Sequence, residues 1–120
     1  MGTTYVTTQV FDLAGTSRPY EAEFLVDTGS IDCMAPGEEL ERIGIRKERK
    51  SVYELANGET IEYELGFARI TFQGQETVAQ IIFGPEGIEP ILGVVALENL
   101  GFTVDPGSNQ LKAMATRPLK

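Results

Sequence analysis

One carboxylate stands in an unusual place in this sequence. Asp27 follows the continuous apolar run Phe24-Leu25-Val26, which we predict to be a strand buried on both faces, and it precedes Thr28 and Gly29. An acidic side chain is rarely interior without a partner, so a carboxylate at the end of such a strand is a candidate for chemistry. Thr28 supplies a hydroxyl, and Gly29 permits a tight turn. The triplet also fits an ordinary β-turn opened by Asp, and the three residues alone do not separate these interpretations.

The composition removes most other catalytic machinery. The 120 residues include no His and one Cys, so the chain lacks an imidazole base, a Ser-His-Asp or Cys-His pair and a histidine zinc site. None of the 13 glycines stands two positions from another and none precedes a Lys, which excludes the GxGxxG and Walker A phosphate loops. Any chemistry must therefore come from carboxylates, hydroxyls or the one thiol.

The charge of the chain disfavours nucleic acid as a partner. Its 18 acidic and 10 basic side chains give a formal net charge of −8, which repels polyanions. No segment approaches the ~18 consecutive apolar residues that a membrane span requires. The acidic residues are spaced as solvated faces, so we expect neither a metal nor another cofactor. With a lone Cys33 and no signal-like N-terminal segment, we expect a cytoplasmic protein that does not bind membranes.

The elements that must position Asp27 are predicted to be mostly strands within a single domain over residues 1–120. Asn57-Gly58 is the strongest hairpin signal, because both residues tolerate positive φ. Turn-rich segments at 14–19 and 73–75 predict two further hairpins. The predicted strands span residues 3–13, 24–26, 52–55, 60–65, 67–72, 77–83, 102–104 and 110–116, and the predicted short helices span 36–43 and 94–100. This pattern predicts a small antiparallel barrel or sandwich.

Three motifs occur in an order that resembles the retropepsin-like aspartic proteases. They are residues 24–30, which contain the Asp-Thr-Gly triplet, the Asn57-Gly58 hairpin, and Ile91-Leu92-Gly93 followed by a short helix. The resemblance covers roughly residues 20–112, and the segments 55–58 and 97–105 look particularly like the small, mostly bacterial members. It implies a small closed antiparallel β-barrel of the retroviral-protease type, with one or two short helices, that forms a homodimer.

The resemblance also implies roles for individual residues. The catalytic group would be Asp27, Thr28 and Gly29. The hairpin would be a flap that closes over a peptide or protein substrate, and the substrate-binding residues would be Ser30, Ala56, Asn57 and Gly58. The site would be supported from beside the catalytic loop by Ile91, Leu92 and Gly93.

Aspartic proteolysis suits a chain without His, because it needs only two carboxylates that share one proton and activate a water molecule. One chain must then find a second Asp. Residues 104–108 repeat the Val-Asp-x-Gly-Ser pattern of residues 26–30, but Pro106 replaces the Thr of the motif, so we interpret Asp105 as a turn residue. The remaining solution is two copies of Asp27 that meet across a twofold axis.

Several alternatives stay open. Retroviral members carry an acid after position 30 that grips the substrate backbone, whereas this chain has Ile31, with Asp32 one position later. The other candidate function is therefore a non-catalytic peptide-binding or dimerisation module with the same fold. The strands at 3–13 and 110–116 are candidates for a sheet between two chains, or for edge pairing within one. Cys33 is a small packing residue or a regulatory thiol.

Overall fold

Nine strands and two short helices make up the regular structure of residues 3–120, the part of the chain that the computed structural model describes. The strands are β1 (Tyr5–Phe11), β2 (Tyr20–Asp27), β3 (Cys33–Pro36), β4 (Arg49–Glu54), β5 (Thr60–Phe72), β6 (Gln75–Gly84), β7 (Ile91–Gly93), β8 (Phe102–Asp105) and β9 (Gln110–Ala113). The helices are α1 (Gly37–Arg42) and α2 (Val94–Asn99). The prediction of a mostly β protein with two short helices is confirmed.

The hairpins form where the turn residues predict them. Strands β1 and β2, β4 and β5, and β5 and β6 pair antiparallel. At the tip of the β4–β5 hairpin, Gly58 has φ of +88° and its amide donates to Leu55 O at 2.9 Å. Asn57 does not take positive φ; its side-chain oxygen instead accepts from the Glu59 amide at 2.9 Å. The two strands predicted at 60–65 and 67–72 are one strand, β5, which continues through Gly66.

The sheet is mixed, which corrects the prediction of an antiparallel one. Strands β2 and β7 pair parallel, and so do β3 and β6. These partners come from segments far apart in the chain, and turn signals report only antiparallel pairs of neighbouring strands. The strand order is β1-β2-β7-β3-β6-β5-β4. Strand β1 also pairs with residues 69–71 of β5, so six strands pair in a closed sequence, and β4 pairs with the other half of β5.

The terminal strands pair within the chain. Strand β1 pairs with β2 and with β5, and β9 pairs with β8 in a separate two-stranded sheet. The last strand ends at Ala113, earlier than predicted. A sheet shared between two chains, the other expectation for these strands, could therefore use only strand edges that are unpaired within the chain.

The core lies directly beneath the strand that carries Asp27. Phe24 and Leu92, on the paired strands β2 and β7, are fully buried. Leu25 and Val26 are only half-buried, so the prediction that this strand is buried on both faces is wrong. Its last residues approach the surface where Asp27 opens into a loop. Among residues 3–120, no helix is long and apolar enough to cross a membrane.

Gly93 lies where three segments of chain meet. It is the parallel partner of Asp27, and a Cβ at this position would lie 2.5 Å from Asp32 O and 2.6 Å from Asp32 C. Real Cβ atoms do not approach backbone this closely. Only glycine therefore lets the loop after Asp27 lie against β7.

Replacing Gly93 with Ala should destabilise the fold. The added methyl group must displace the backbone of Asp32, and overpacking of this kind costs about 1–3 kcal/mol of the free energy of unfolding. Urea denaturation measures the change. Gly107→Ala is the matched control, because its Cβ would meet only Asp105 Oδ1, at 3.8 Å. Equal midpoints for the two variants would contradict the prediction.

Candidate active site

The carboxylate of Asp27 is held by its own loop. The Gly29 amide donates to Oδ1 at 3.0 Å and the Ser30 hydroxyl donates to Oδ2 at 3.2 Å. The Ser30 amide also donates to the backbone oxygen of Asp27 at 3.1 Å. Asp27 is half-buried, whereas Thr28 and Gly29 are exposed. Both carboxylate oxygens are thus oriented by local donors, while the other residues of the triplet face solvent.

Strand β7 and helix α2 fix this loop from behind. Leu92 and Gly93 pair with Val26 and Asp27 along the parallel ladder, and Ile91 pairs with Leu25. The Val94 amide then donates to Ser30 O at 2.8 Å, and the Val95 amide to Ile31 O at 3.5 Å. The structure therefore places residues 91–93 beside the Asp27 loop. The loop carbonyls are satisfied by the first turn of α2.

An open cleft separates the Asp27 loop from the β4–β5 hairpin. One part of it, with a volume of about 560 Å³, is lined by Asp27, Gly29, Ser30, Glu54, Leu55 and Ala56. Ala56, one of the predicted substrate-binding residues, therefore lines the same cavity as Asp27. Asn57 and Gly58, at the hairpin tip, do not line this part, and neither does Thr28.

A second part of the cleft, of about 390 Å³, shares Gly29, Ser30, Glu54 and Leu55 with the first and extends along the hairpin. Apolar side chains line most of it, chiefly Met34, Val52, Ile82 and Ile91. Val52 is 63% exposed and Leu55 43% exposed, so the hairpin presents apolar surface to the cleft. Such a surface suits an extended chain with aliphatic side chains.

A larger groove, of about 710 Å³, lies elsewhere and is not the candidate site. It is lined by β1 and by the turn between β5 and β6, with Gln9, Arg69 and Glu76 among its residues. Arg69 and Glu76 are paired with each other at 3.4 Å and are exposed, as expected of a solvated face. The groove thus offers an exposed ion pair, whereas the Asp27 cleft offers a half-buried carboxylate that two donors orient.

Asp32 is a site residue whose partners the sequence did not reveal. Its Oδ2 accepts a hydrogen bond from the Tyr53 hydroxyl at 2.8 Å, and its Oδ1 accepts one from Gln80 Nε2 at 2.9 Å. Burial, and then the hydrogen bond to Asp32, raise the pKa of Tyr53 to about 12. The partners lie 21 and 48 residues away in the chain, so no local pattern marks them.

The second Asp-x-Gly-Ser segment forms the same side-chain hydrogen bonds, but its backbone turn is one residue longer, since the Asn109 amide and not the Ser108 amide donates to Asp105 O, at 2.8 Å. The Gly107 amide donates to Asp105 Oδ1 at 3.3 Å, and the Ser108 hydroxyl donates to Oδ2 at 2.9 Å. This segment connects β8 to β9, which agrees with the interpretation of Asp105 as a turn residue. The hydrogen-bond pattern is therefore a property of the Asp-x-Gly-Ser sequence, and the cleft and β7 are what distinguish Asp27.

Cys33 is buried beneath the Asp27 loop and contacts Gly93. It is fully buried at the start of β3, and its Sγ accepts from the Gly93 amide at 3.4 Å. Burial raises the pKa of the thiol to about 12, so it carries almost no thiolate at neutral pH. These properties fit a packing residue. Among residues 3–120, no three His, Cys, Asp or Glu side chains are grouped so as to hold a metal ion.

Comparison with known proteins supports the fold. No family model matches the chain, and no curated protein matches it. Among solved structures, the chain is similar to the solution structure of Simian Foamy Virus (mac) protease, with a TM-score of 0.56 and 15% sequence identity. The match covers 79% of this chain and 92% of that chain. At this identity the likeness shows the fold alone, which is similar to that of the foamy virus protease.

The thiol of Cys33 should report on unfolding. In the native protein at mildly alkaline pH, a chromogenic disulfide reagent should react at least about 10³-fold more slowly than with the urea-unfolded chain, because the thiol must be exposed first. Since the chain has one Cys, the release of chromophore measures this residue alone. A native rate close to the unfolded rate would show that β3 is not closed over the thiol.

Proposed function

We propose that this protein is an aspartic endopeptidase that cleaves extended peptide segments as a homodimer of closed β-barrels, with Asp27 from each chain in one shared site. The observation that carries the proposal is the oriented Asp27 carboxylate on the floor of a cleft whose opposite wall is the β4–β5 hairpin. The retropepsin-like fold supports it.

The chemistry follows from two carboxylates that lie too close to ionise together. They share one proton and titrate as a unit. The ionised member takes a proton from a water molecule, whose oxygen attacks the scissile carbonyl carbon, while the protonated member donates its proton to the carbonyl oxygen. The tetrahedral intermediate then collapses as the C–N bond breaks, the protonated carboxyl gives its proton to the leaving nitrogen, and the ionised carboxylate takes a proton from a hydroxyl of the intermediate, so that the pair again holds one proton.

A twofold axis is the most economical source of the second carboxylate. Each chain offers one Asp27, and Asp105 already belongs to the β8–β9 turn. The exposed Thr28 is free to contact the equivalent loop of a second chain. In the described residues β9 pairs only with β8, which leaves its outer edge for a sheet shared between chains. Such an isologous interface is the commonest form of dimer.

The substrate would lie as an added strand between the hairpin and the Asp27 loop. Main-chain groups of Ser30, Ala56, Asn57 and Gly58 are the candidates to pair with it, and the apolar part of the cleft would accept its side chains. The net charge of −8 favours peptide over nucleic acid. A cytoplasmic location is part of the proposal and is motivated by the single, unpaired Cys33.

One observation favours a second candidate, a peptide-binding or dimerisation module without catalysis. Ile31 stands where retroviral members carry a substrate-gripping acid, and both oxygens of the neighbouring Asp32 are already bonded to Tyr53 and Gln80. A chain with fewer groups to hold substrate could bind peptides without turning them over. The two candidates differ in whether bound peptide is cut.

Asp27→Asn should abolish cleavage of a peptide library, with a loss of about 10²–10⁴-fold or more, because an amide neither shares the proton nor activates water. Product formation followed by mass spectrometry measures the loss. Asp105→Asn is the matched control, since it changes the same residue type with the same side-chain hydrogen bonds, and it should keep full activity. Undiminished cleavage by Asp27→Asn would refute the proposal. Wild-type protein that binds peptides and never cuts them would favour the second candidate.

Mixing the two kinds of chain tests whether the site is shared. When Asp27→Asn protein is added to an equal amount of wild type and the chains exchange, half of the wild-type chains pair with a defective partner. Total activity should therefore fall to about half. Adding the same amount of Asp105→Asn protein should not lower it. Activity that is unchanged by the Asp27→Asn chain would mean that one chain is sufficient.

A further inference from the structure

The β4–β5 hairpin has little backbone support on its outer side. Strand β4 is the last strand of the sheet and pairs only with β5 among the described residues. The half of β5 beyond Leu65 pairs with β6, but residues 60–64 pair only with β4. The position of the hairpin over the cleft therefore depends on side-chain contacts with the rest of the molecule.

One connected set of hydrogen bonds supplies such contacts. The Tyr53 hydroxyl, near the end of β4, donates to Asp32 Oδ2 at 2.8 Å, and Gln80 Nε2, on β6, donates to Asp32 Oδ1 at 2.9 Å. Gln80 Oε1 in turn accepts from Arg49, the first residue of β4. Both ends of β4 are thus joined to a single carboxylate on the loop that follows Asp27.

Asp32 itself is fixed to the floor of the cleft. Its backbone lies against Gly93, where an added Cβ would be 2.5 Å from its carbonyl oxygen. Gly93 is also the parallel partner of Asp27. A continuous path of close contacts therefore runs from the candidate catalytic residue, through Gly93 and Asp32, to Tyr53 on the hairpin.

We propose that Asp32 is a positioning residue that, through Tyr53 and Gln80, holds the β4–β5 hairpin at a fixed height above Asp27. The inference rests on the proposed function for its effect on catalysis, and on the contacts alone for its effect on the hairpin. Because each carboxylate oxygen already accepts a hydrogen bond within the chain, we assign Asp32 to positioning the hairpin and not to gripping the substrate. It acts on substrate binding by placing the residues opposite Asp27.

The hydrogen bonds of this network persist near neutral pH. Because burial and the hydrogen bond to Asp32 raise the pKa of Tyr53 to about 12, its phenol stays protonated and remains a donor at neutral pH. Arg49 carries its charge at any such pH. The contact thus fixes the hairpin and is not a switch near neutrality. The contribution of this bond to stability is present below the ordinary phenol pKa of 10.0 and is lost as pH rises through about 12.

Tyr53→Phe removes the hydroxyl and keeps the ring, so it tests the contact with little risk to the fold. Backbone amide order parameters of residues 54–59 should fall from the rigid range of about 0.85 toward about 0.6, because the hairpin is released at one end. In peptide cleavage, KM should rise about threefold to tenfold while kcat stays within about twofold, as expected when substrate positioning is weakened and the carboxylates are untouched.

The matched control is Tyr20→Phe, which removes a tyrosine hydroxyl from β2, where the ring packs on Phe24 at 6.1 Å between centroids. It should change neither readout. Asp32→Asn replaces one of the two acceptor oxygens with a donor, so it should loosen the hairpin in the same direction as Tyr53→Phe, and the double variant should lose less than the sum of the two single losses, because Tyr53 and Asp32 share one hydrogen bond. Order parameters that remain in the rigid range in Tyr53→Phe would overturn the inference.

The two readouts keep this inference separate from the proposed function. If the wild type cleaves no peptide, the proposed function fails, and the order parameters still decide whether Tyr53 and Asp32 hold the hairpin. If cleavage occurs and Tyr53→Phe alters kcat alone, with rigid order parameters, the positioning role is wrong and the proposed function stands. Should Asp32→Asn fail to fold, Tyr53→Phe decides the question.

Discussion

The parallel pairing of β2 with β7 is the constraint on which the site depends. It sets Asp27 opposite Gly93, and the missing side chain of Gly93 lets the backbone of Asp32 lie against β7. That single close approach fixes the loop between the two acids. The first amides of α2 then bind the loop carbonyls, and the buried Cys33 accepts from the Gly93 amide. The placement of Asp27 and Asp32 therefore depends on the parallel pairing of β2 with β7.

The hydrogen bonds within the Asp27 loop do not by themselves distinguish Asp27 from other aspartates of the chain. The carboxylates of Asp27 and Asp105 accept the same two hydrogen bonds, from the glycine amide on one oxygen and from the serine hydroxyl on the other, although the backbone turns differ by one residue. A carboxylate held in this way is common wherever Asp-x-Gly-Ser follows a strand. What separates Asp27 is its surroundings, since a neighbouring strand supports the loop and a hairpin faces it. Fold, rather than turn geometry, gives the aspartate a candidate role in chemistry.

The limits of sequence reasoning follow from the same distinction. Contacts between residues close in sequence are predictable from turn and helix-terminus residues. Examples are the hairpin at Gly58, the helices after Pro36 and Gly93, and the turn at Asp105. The likeness of the fold to that of a viral protease was expected because three motifs resemble, in order, those of the retropepsin-like proteases. The parallel pairs, and the bonds of Asp32 to Tyr53 and Gln80, join segments that share no turn, period or spacing, and only the folded chain reveals them.

The order of the Asp27 loop within one chain would have an energetic consequence for the proposed homodimer. The Asp27 carboxylate obtains its hydrogen bonds from Gly29 and Ser30 of its own loop, so a partner would not need to fold the site and would supply only the second carboxylate and the shared proton. Two chains of formal charge −8 repel each other, and this repulsion is weakened by salt and by the shared proton. In the proposed homodimer, the single chain would fold by itself, and catalysis would depend on an association that ionic strength can shift without unfolding either partner.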